Sequence, residues 1–125
     1  MKMREAIEFS NLYESIKTLK LPVKTAYKFN RLIKHLEPDL KFYQSTFTSI
    51  IEECAKRDDQ GQYCYTSDGT GVQISETKQA ECNRRIGELL DLEITVNGFT
   101  FSIDELDGLN LSIAQLESLM SLIVE

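Results

Sequence analysis

At 125 residues and 14.3 kDa the chain has the length of one domain, and its 42% hydrophobic and 27% charged residues exclude wholesale disorder. No apolar run approaches the roughly 20 residues of a membrane span, and no hydrophobic stretch follows Met1-Lys2-Met3-Arg4-Glu5 to act as a signal peptide, so a cytoplasmic location with no membrane partner is expected. The net charge of −6 divides unevenly: residues 1–57 hold eleven Lys or Arg against seven acids, residues 58–125 three against thirteen.

In chain order, the first expected helix follows Ser10. Asn11-x-x-Glu14 has capping-box spacing, and Leu12, Ile16 and Leu19 share a stripe that stops at Leu21-Pro22. Ala26, Phe29, Ile33, Leu36, Leu40, Tyr43, Phe47, Ile50 and Cys54 then alternate in steps of three and four. This coiled-coil-like seam predicts one helix over 22–57, about 54 Å long, continuous but bent at Pro38. Gln62–Thr66 and Val72–Ile74 around Ser67-Asp68-Gly69-Thr70-Gly71 predict a short antiparallel hairpin.

Ser75 opens a helix over about 76–91, with Cys82, Ile86 and Leu89 or Leu90 inward. Asn97-Gly98 between Leu92–Val96 and Phe99–Ile103 predicts a second hairpin with a type I′ turn. Ser102-x-x-Glu105 starts a helical turn closed by Gly108. Ser112-x-x-Gln115 opens a terminal helix with Ile113, Leu116, Met120 and Ile123 on one face. The expected class is therefore α+β: a long amphipathic helix packed by shorter ones, with one or two small antiparallel hairpins. Residues 1–125 are read as a single domain, helical over about 10–57 and hairpin–helix–hairpin–helix over about 58–125.

Little in the sequence points to chemistry. Cys54, Cys64 and Cys82 with the single His35 lack the close ligand pairs of a zinc site, so no metal and no cofactor are expected. His35 shares a face with Lys24, Lys28 and Arg31, which suits a solvated position better than a catalytic one. Gly69-Thr70-Gly71 lacks the lysine of a phosphate-binding loop. No catalytic residue is assigned.

Two surfaces remain as candidate sites. One is the basic stripe Lys24, Lys28 and Arg31, extended by Lys17 and Lys20 and joined by Phe42; a basic stripe with an aromatic suits a phosphate-bearing ligand. The other is an acidic interaction face at Asp104, Glu105 and Asp107. The overall acidity argues against non-specific nucleic-acid binding.

The order Asn11-Leu12-Tyr13, Leu21-Pro22-Val23-Lys24-Thr25-Ala26-Tyr27, Glu88-Leu89-Leu90-Asp91-Leu92-Glu93-Ile94 and Leu111-Ser112-x-x-Gln115-Leu116-x-x-Leu119 resembles an uncharacterised family of small proteins encoded by phages and prophages of Gram-positive bacteria. The chain departs from that family at Pro38 and in the longer Cys64–Gly71 hairpin. The resemblance implies a setting, the host cytoplasm, and no activity. The leading reading is a non-enzymatic accessory protein that contacts a host or phage protein, with inhibition of a host defence protein as its specific form. The alternatives are a virion structural or assembly factor, oligomerising through the seam of the long helix, and a binder of a phosphate-bearing ligand or nucleic acid.

Overall fold

A computed structural model describes residues 1–124. The protein is mostly helical: α1 (Met3–Ile16), α2 (Val23–Cys54), α3 (Gln79–Leu90), α4 (Ile103–Leu106) and α5 (Ile113–Leu119), with 3₁₀ turns at Glu76–Lys78 and Met120–Leu122. Two short strands, β1 (Phe101–Ser102) and β2 (Ile123–Val124), pair in parallel, Phe101 with Ile123 and Ser102 with Val124. The α+β expectation therefore stands at its coarse level, while the antiparallel sheet does not. The β1–β2 connection carries α4 and α5, because parallel neighbours need a crossover of a dozen or more residues. Among the described residues no helix is long and apolar enough to cross a membrane.

The chain forms two compact units, one of residues 1–41 with 92–125 and one of residues 42–91. In the first unit α1 buries Met3, Ala6, Phe9, Leu12 and Ile16. It thus starts well before Ser10, and Asn11-x-x-Glu14 lies inside it. Lys2 occupies the N-cap position, so the sequence carries no Ser, Thr, Asp or Asn start signal there; Glu5 Oε1 instead accepts the Lys2 backbone N–H at 2.8 Å. The helix stops at Ile16, and Leu19, expected on the buried stripe, is exposed.

The first part of α2 contributes Phe29, Leu32, Ile33 and Leu36 to this core. Phe29 lies between Phe9 (ring centroids 5.7 Å, stacked) and Phe101 (5.0 Å, tilted). Each of these fully buried rings contributes about 1.5–3 kcal/mol of transfer free energy. Ala26, read as a seam residue, is exposed, and Thr25 is buried in its place. The α2 helix runs through Pro38 without interruption. The ring removes the N–H that would bond the Lys34 carbonyl, and Pro38 stands on an exposed face where water can reach that carbonyl.

The Asn97-Gly98 hairpin is not formed. A type I′ turn requires positive φ at both central residues; Gly98 has φ of 87°, while Asn97 is not in the positive region. The flanking backbone pairs elsewhere. Met3 N–H donates to the Leu92 carbonyl (2.8 Å) and Ile94 N–H to the Met1 carbonyl (2.7 Å), while Phe101–Ser102 is claimed by β2. A two-residue strand beside a buried ring satisfies Phe101 better than an edge hairpin does, because Phe101 becomes fully buried.

Also corrected is the inward face of the terminal helix. Its capping box is present, with Ser112 Oγ accepting the Gln115 N–H at 3.1 Å, yet Ile113 is 78% exposed and Leu116 and Met120 also face solvent. Ser118, Leu119 and Leu122 are buried instead, and α5 packs on α1. A two-turn helix with apolar residues on every side offers two stripes, and its period alone does not choose between them.

In the second unit Ile50 and Cys54 of α2 meet Cys82 and Leu89 of α3, with Tyr43, Phe47, Ile51, Ile74 and Ile86 packed around them. The α3 inward face thus matches the expected one. Between the helices the chain forms isolated antiparallel bridges, Ala55 with Ile74, Arg57 with Tyr63 and Tyr65 with Val72, and no strand. Gln73 N–H donates to the Cys64 carbonyl (2.7 Å) and Thr66 N–H to the Gly71 carbonyl (2.9 Å), while Lys56 accepts from Cys64 N–H (3.0 Å) and donates to the Gln73 carbonyl (2.7 Å), so the segment turns back on itself through single bridges rather than regular strands. The Thr66–Gly71 turn closes on Asp68, whose carboxylate accepts from Thr66 Oγ1 (2.5 Å) and the Thr70 N–H (3.1 Å). These bonds, that of Thr66 first, hold the Asp68 carboxyl below its ordinary range.

Candidate interaction site

The end of α1, the loop 17–22 and the start of α2 form an open cleft of about 470 Å³ in the first unit. Tyr13, Ile16, Leu19, Leu21, Val23 and Tyr27 supply most of its wall. The local cause is in the sequence: Leu21-Pro22 ends the chain's descent from α1, and Val23 and Tyr27 then fall one helical turn apart on the outer face of α2. Val23 is 86% exposed, Tyr27 62% and Leu19 53%. Solvated faces do not usually gather apolar groups this way, and a contiguous exposed patch marks a binding surface. Asn30 Nδ2 donates to the Tyr13 hydroxyl at 3.4 Å, a polar contact at the floor of the cleft. Guanidinium Cζ of Arg31 lies 5.8 Å from the Tyr27 ring centroid.

The chain segment that forms the cleft is rich in cations, with Glu14 as the acid next to it. Residues 15–36 contain six Lys or Arg (Lys17, Lys20, Lys24, Lys28, Arg31 and Lys34) and no Asp or Glu. Their surroundings differ. Lys17 pairs with Glu14 at 2.6 Å, Lys34 with Glu37 at 3.7 Å and Lys28 with Glu105 at 2.7 Å. Among the described residues no ion-pair partner is seen for Lys20 or Lys24, and both are exposed.

The two surfaces singled out from sequence prove to be joined. Lys28 is half-buried; its ammonium donates to Glu105 Oε1 and, at 3.1 Å, to the Thr100 carbonyl, and lies 5.8 Å from the Phe101 ring centroid. Glu105 turns inward from the single turn of α4. Its Oε1 also accepts from the Ser102 N–H (3.1 Å) and Ser102 Oγ (3.2 Å), while Oε2 is buried without a partner among the described residues. Hydrogen bonding from Lys28, then from the Ser102 backbone, holds the Glu105 carboxyl below its ordinary value of 4.5.

Asp104 and Asp107 remain exposed beside it. Arg31 stacks near Phe99 (5.3 Å) as well as Tyr27, and Lys24, next to the wall residue Val23 in the chain, is exposed. Phe42 is 54% exposed and belongs to the second unit. His35 is exposed and engaged: its Nε2 lies 2.6 Å from the Thr95 carbonyl, which can only accept, and its ring lies 4.8 Å from that of Phe99.

A smaller cleft of about 330 Å³ opens in the second unit between Phe47, Thr48, Ile51, Tyr63, Tyr65 and Val72. Its aromatic wall was not anticipated, because Tyr63 and Tyr65 come from a loop whose path only the fold defines. Behind it the Cys54 and Cys82 thiols interact in the core. Burial, then the Cys54 thiol, pushes the Cys82 thiol up. Among the described residues no group of three or more His, Cys, Asp or Glu side chains is placed to hold a metal ion.

Comparison with family models, curated proteins and solved structures gives no match for this chain. The cleft of the first unit could have been suspected from sequence through Leu21, Val23 and Tyr27, three large apolar residues that the buried periodicity leaves unused.

Proposed function

We propose that the protein acts by contact with another protein through the cleft between α1 and α2, with no catalytic step of its own. The observation that carries this reading is the exposure of Val23, Tyr27 and Leu19 around one open apolar cavity. A groove lined by two helices and a loop, with no strand edge in it, suits a side-chain-mediated protein contact. The phosphate-ligand alternative has less support, because Lys28 is already engaged by Glu105 and Thr100 and Arg31 lies over aromatic rings.

The setting we propose is that of a phage or prophage accessory protein in the host cytoplasm, with a host defence protein as the partner it inhibits. This rests on the resemblance carried by Asn11–Tyr27 and Glu88–Leu119. A role in virion assembly is the second reading, and the outward apolar residues Ile113 and Leu116 of α5 and Met120 of the 3₁₀ turn after it favour it as a contact between copies.

The test compares the tagged wild-type chain with Val23→Asp/Tyr27→Asp as baits in host lysates, with and without phage infection. Both positions are exposed, so the variant should keep the wild-type circular dichroism spectrum and melting temperature. A protein retained stoichiometrically by wild type and lost from the variant supports the reading. Equal retention by both baits, or none by either, removes the cleft from consideration. Recovery of virion proteins in place of a host protein moves the conclusion to assembly.

A further inference from the structure

We infer that the segment docking in the α1–α2 cleft is an acidic amphipathic helix of a partner protein, an inference that rests on the contact role proposed for this cleft. The first argument is charge. Over residues 15–36 six cations stand without one acid, in a chain whose net charge is −6. Lys20 and Lys24, the two with no ion-pair partner among the described residues, are chain neighbours of the wall residues Leu19, Leu21 and Val23. An apolar surface edged by unpaired ammonium groups is complementary to a ligand with apolar anchors flanked by carboxylates.

The second argument is backbone chemistry. Both walls are helical, Tyr13 and Ile16 on α1 and Val23, Ala26, Tyr27 and Asn30 on α2. None of these residues, nor the loop residues Leu19 and Leu21 that also line the cleft, belongs to a strand, so the cleft offers no sheet edge to which an extended peptide can add. Recognition falls to side chains, and Val23 and Tyr27 at i and i+4 match the anchor spacing of a second helix laid in the groove. The third argument disfavours nucleic acid. The cations of the stripe that would follow a phosphate backbone, Lys28 and Arg31, are held against Glu105, Thr100 and aromatic rings, and Lys17 of the lining is paired with Glu14.

The experiment selects a yeast-displayed library of randomised helical peptides against the full chain. Enriched peptides are then measured by fluorescence anisotropy on wild type, Lys20→Glu/Lys24→Glu and Val23→Asp/Tyr27→Asp, each verified as folded by thermal melting. The expected outcome is enrichment of net-negative sequences with apolar anchors at i and i+4. Their affinity should fall about tenfold in the charge-reversed variant and decline with added salt. Enrichment of neutral or basic peptides that still need Val23 and Tyr27 overturns the acidic assignment and leaves the contact role standing. No enrichment above the Val23→Asp/Tyr27→Asp background overturns both. A labelled single-stranded oligonucleotide that binds wild type and displaces the enriched peptides overturns the assignment in favour of nucleic acid.

Discussion

Replacing Lys28 tests the link between the basic and acidic segments most directly. The Glu105 carboxylate takes three hydrogen bonds on Oε1 (Lys28 Nζ at 2.7 Å, Ser102 N–H at 3.1 Å, Ser102 Oγ at 3.2 Å) and none on its buried Oε2. Lys28→Met keeps the aliphatic stem against Phe101 and removes the ammonium. A charge left half-buried loses a bond of the class that contributes about 1.5–3 kcal/mol, so we expect a loss of about 2 kcal/mol at neutral pH. Glu105→Gln keeps the shape and should lose about 1 kcal/mol, since Lys28 retains Thr100. The double variant should reveal a coupling of about 1 kcal/mol.

The pH dependence carries a sign. The folded-state pKa of Glu105 lies below the ordinary 4.5, so its contribution is complete above that value and is lost as pH falls through the folded pKa. Urea unfolding of wild type and Lys28→Met from pH 7 to about pH 3 should therefore show the gap closing on the acid side. A gap that stays constant across that range, or a neutral-pH loss under about 0.5 kcal/mol, would refute the pairing as a contributor to stability.

Other positions separate core from surface. Phe29→Ala, at a site 1% exposed between two aromatic rings, should cost about 3–5 kcal/mol in urea unfolding, whereas Phe42→Ala should stay within about 0.5 kcal/mol. Pro38→Ala on the exposed face of α2 restores a helical N–H and should raise the melting temperature, with an upper bound of about 3 kcal/mol; an unchanged or lower value would mean that the proline is required where it stands. Gly98→Ala meets open space and is opposed by φ alone, so a loss of about 1 kcal/mol is expected. In the native protein iodoacetamide should modify Cys64 first and reach buried Cys54 and Cys82 only on unfolding. Equal rates at all three cysteines, followed by mass spectrometry, would contradict the burial that raises the Cys82 thiol.

The helices were legible where one stripe dominates. Phe29, Ile33, Leu36, Ile50 and Cys54 are buried as their spacing requires, and Cys82 with Leu89 sets the face of α3. The seam widened to include Leu32, as a helix in a globular core needs more than a two-position stripe. Misreadings share one cause, competition from distant backbone or side chains. The segment after Leu92 has the alternation of a hairpin, yet residues 1–3 and 123–124 claim its hydrogen bonds. No local signal announces partners some 90 residues away. The site was legible only in part: Lys24 and the basic run were visible, but Val23 and Tyr27 gained meaning once the fold left them uncovered.

The charge split of the sequence admits an inward and an outward use, and the fold employs both. Inwardly, Lys28 reaches across 77 residues to Glu105, and Arg85 pairs with Glu53 within the second unit. Lys28–Glu105 joins a cation of the basic half to an acid of the acidic half and so consumes part of the asymmetry, whereas Arg85–Glu53 joins the minority charges of the two halves and leaves it in place. Outwardly, Lys20 and Lys24 are chain neighbours of the wall residues Leu19, Leu21 and Val23, with no acid between Ser15 and Leu36. Had the basic run served only to close the fold, these two would be expected to face carboxylates as Lys28 does. Their place in the chain beside exposed Val23 and Tyr27 is the feature that the proposed acidic partner would read.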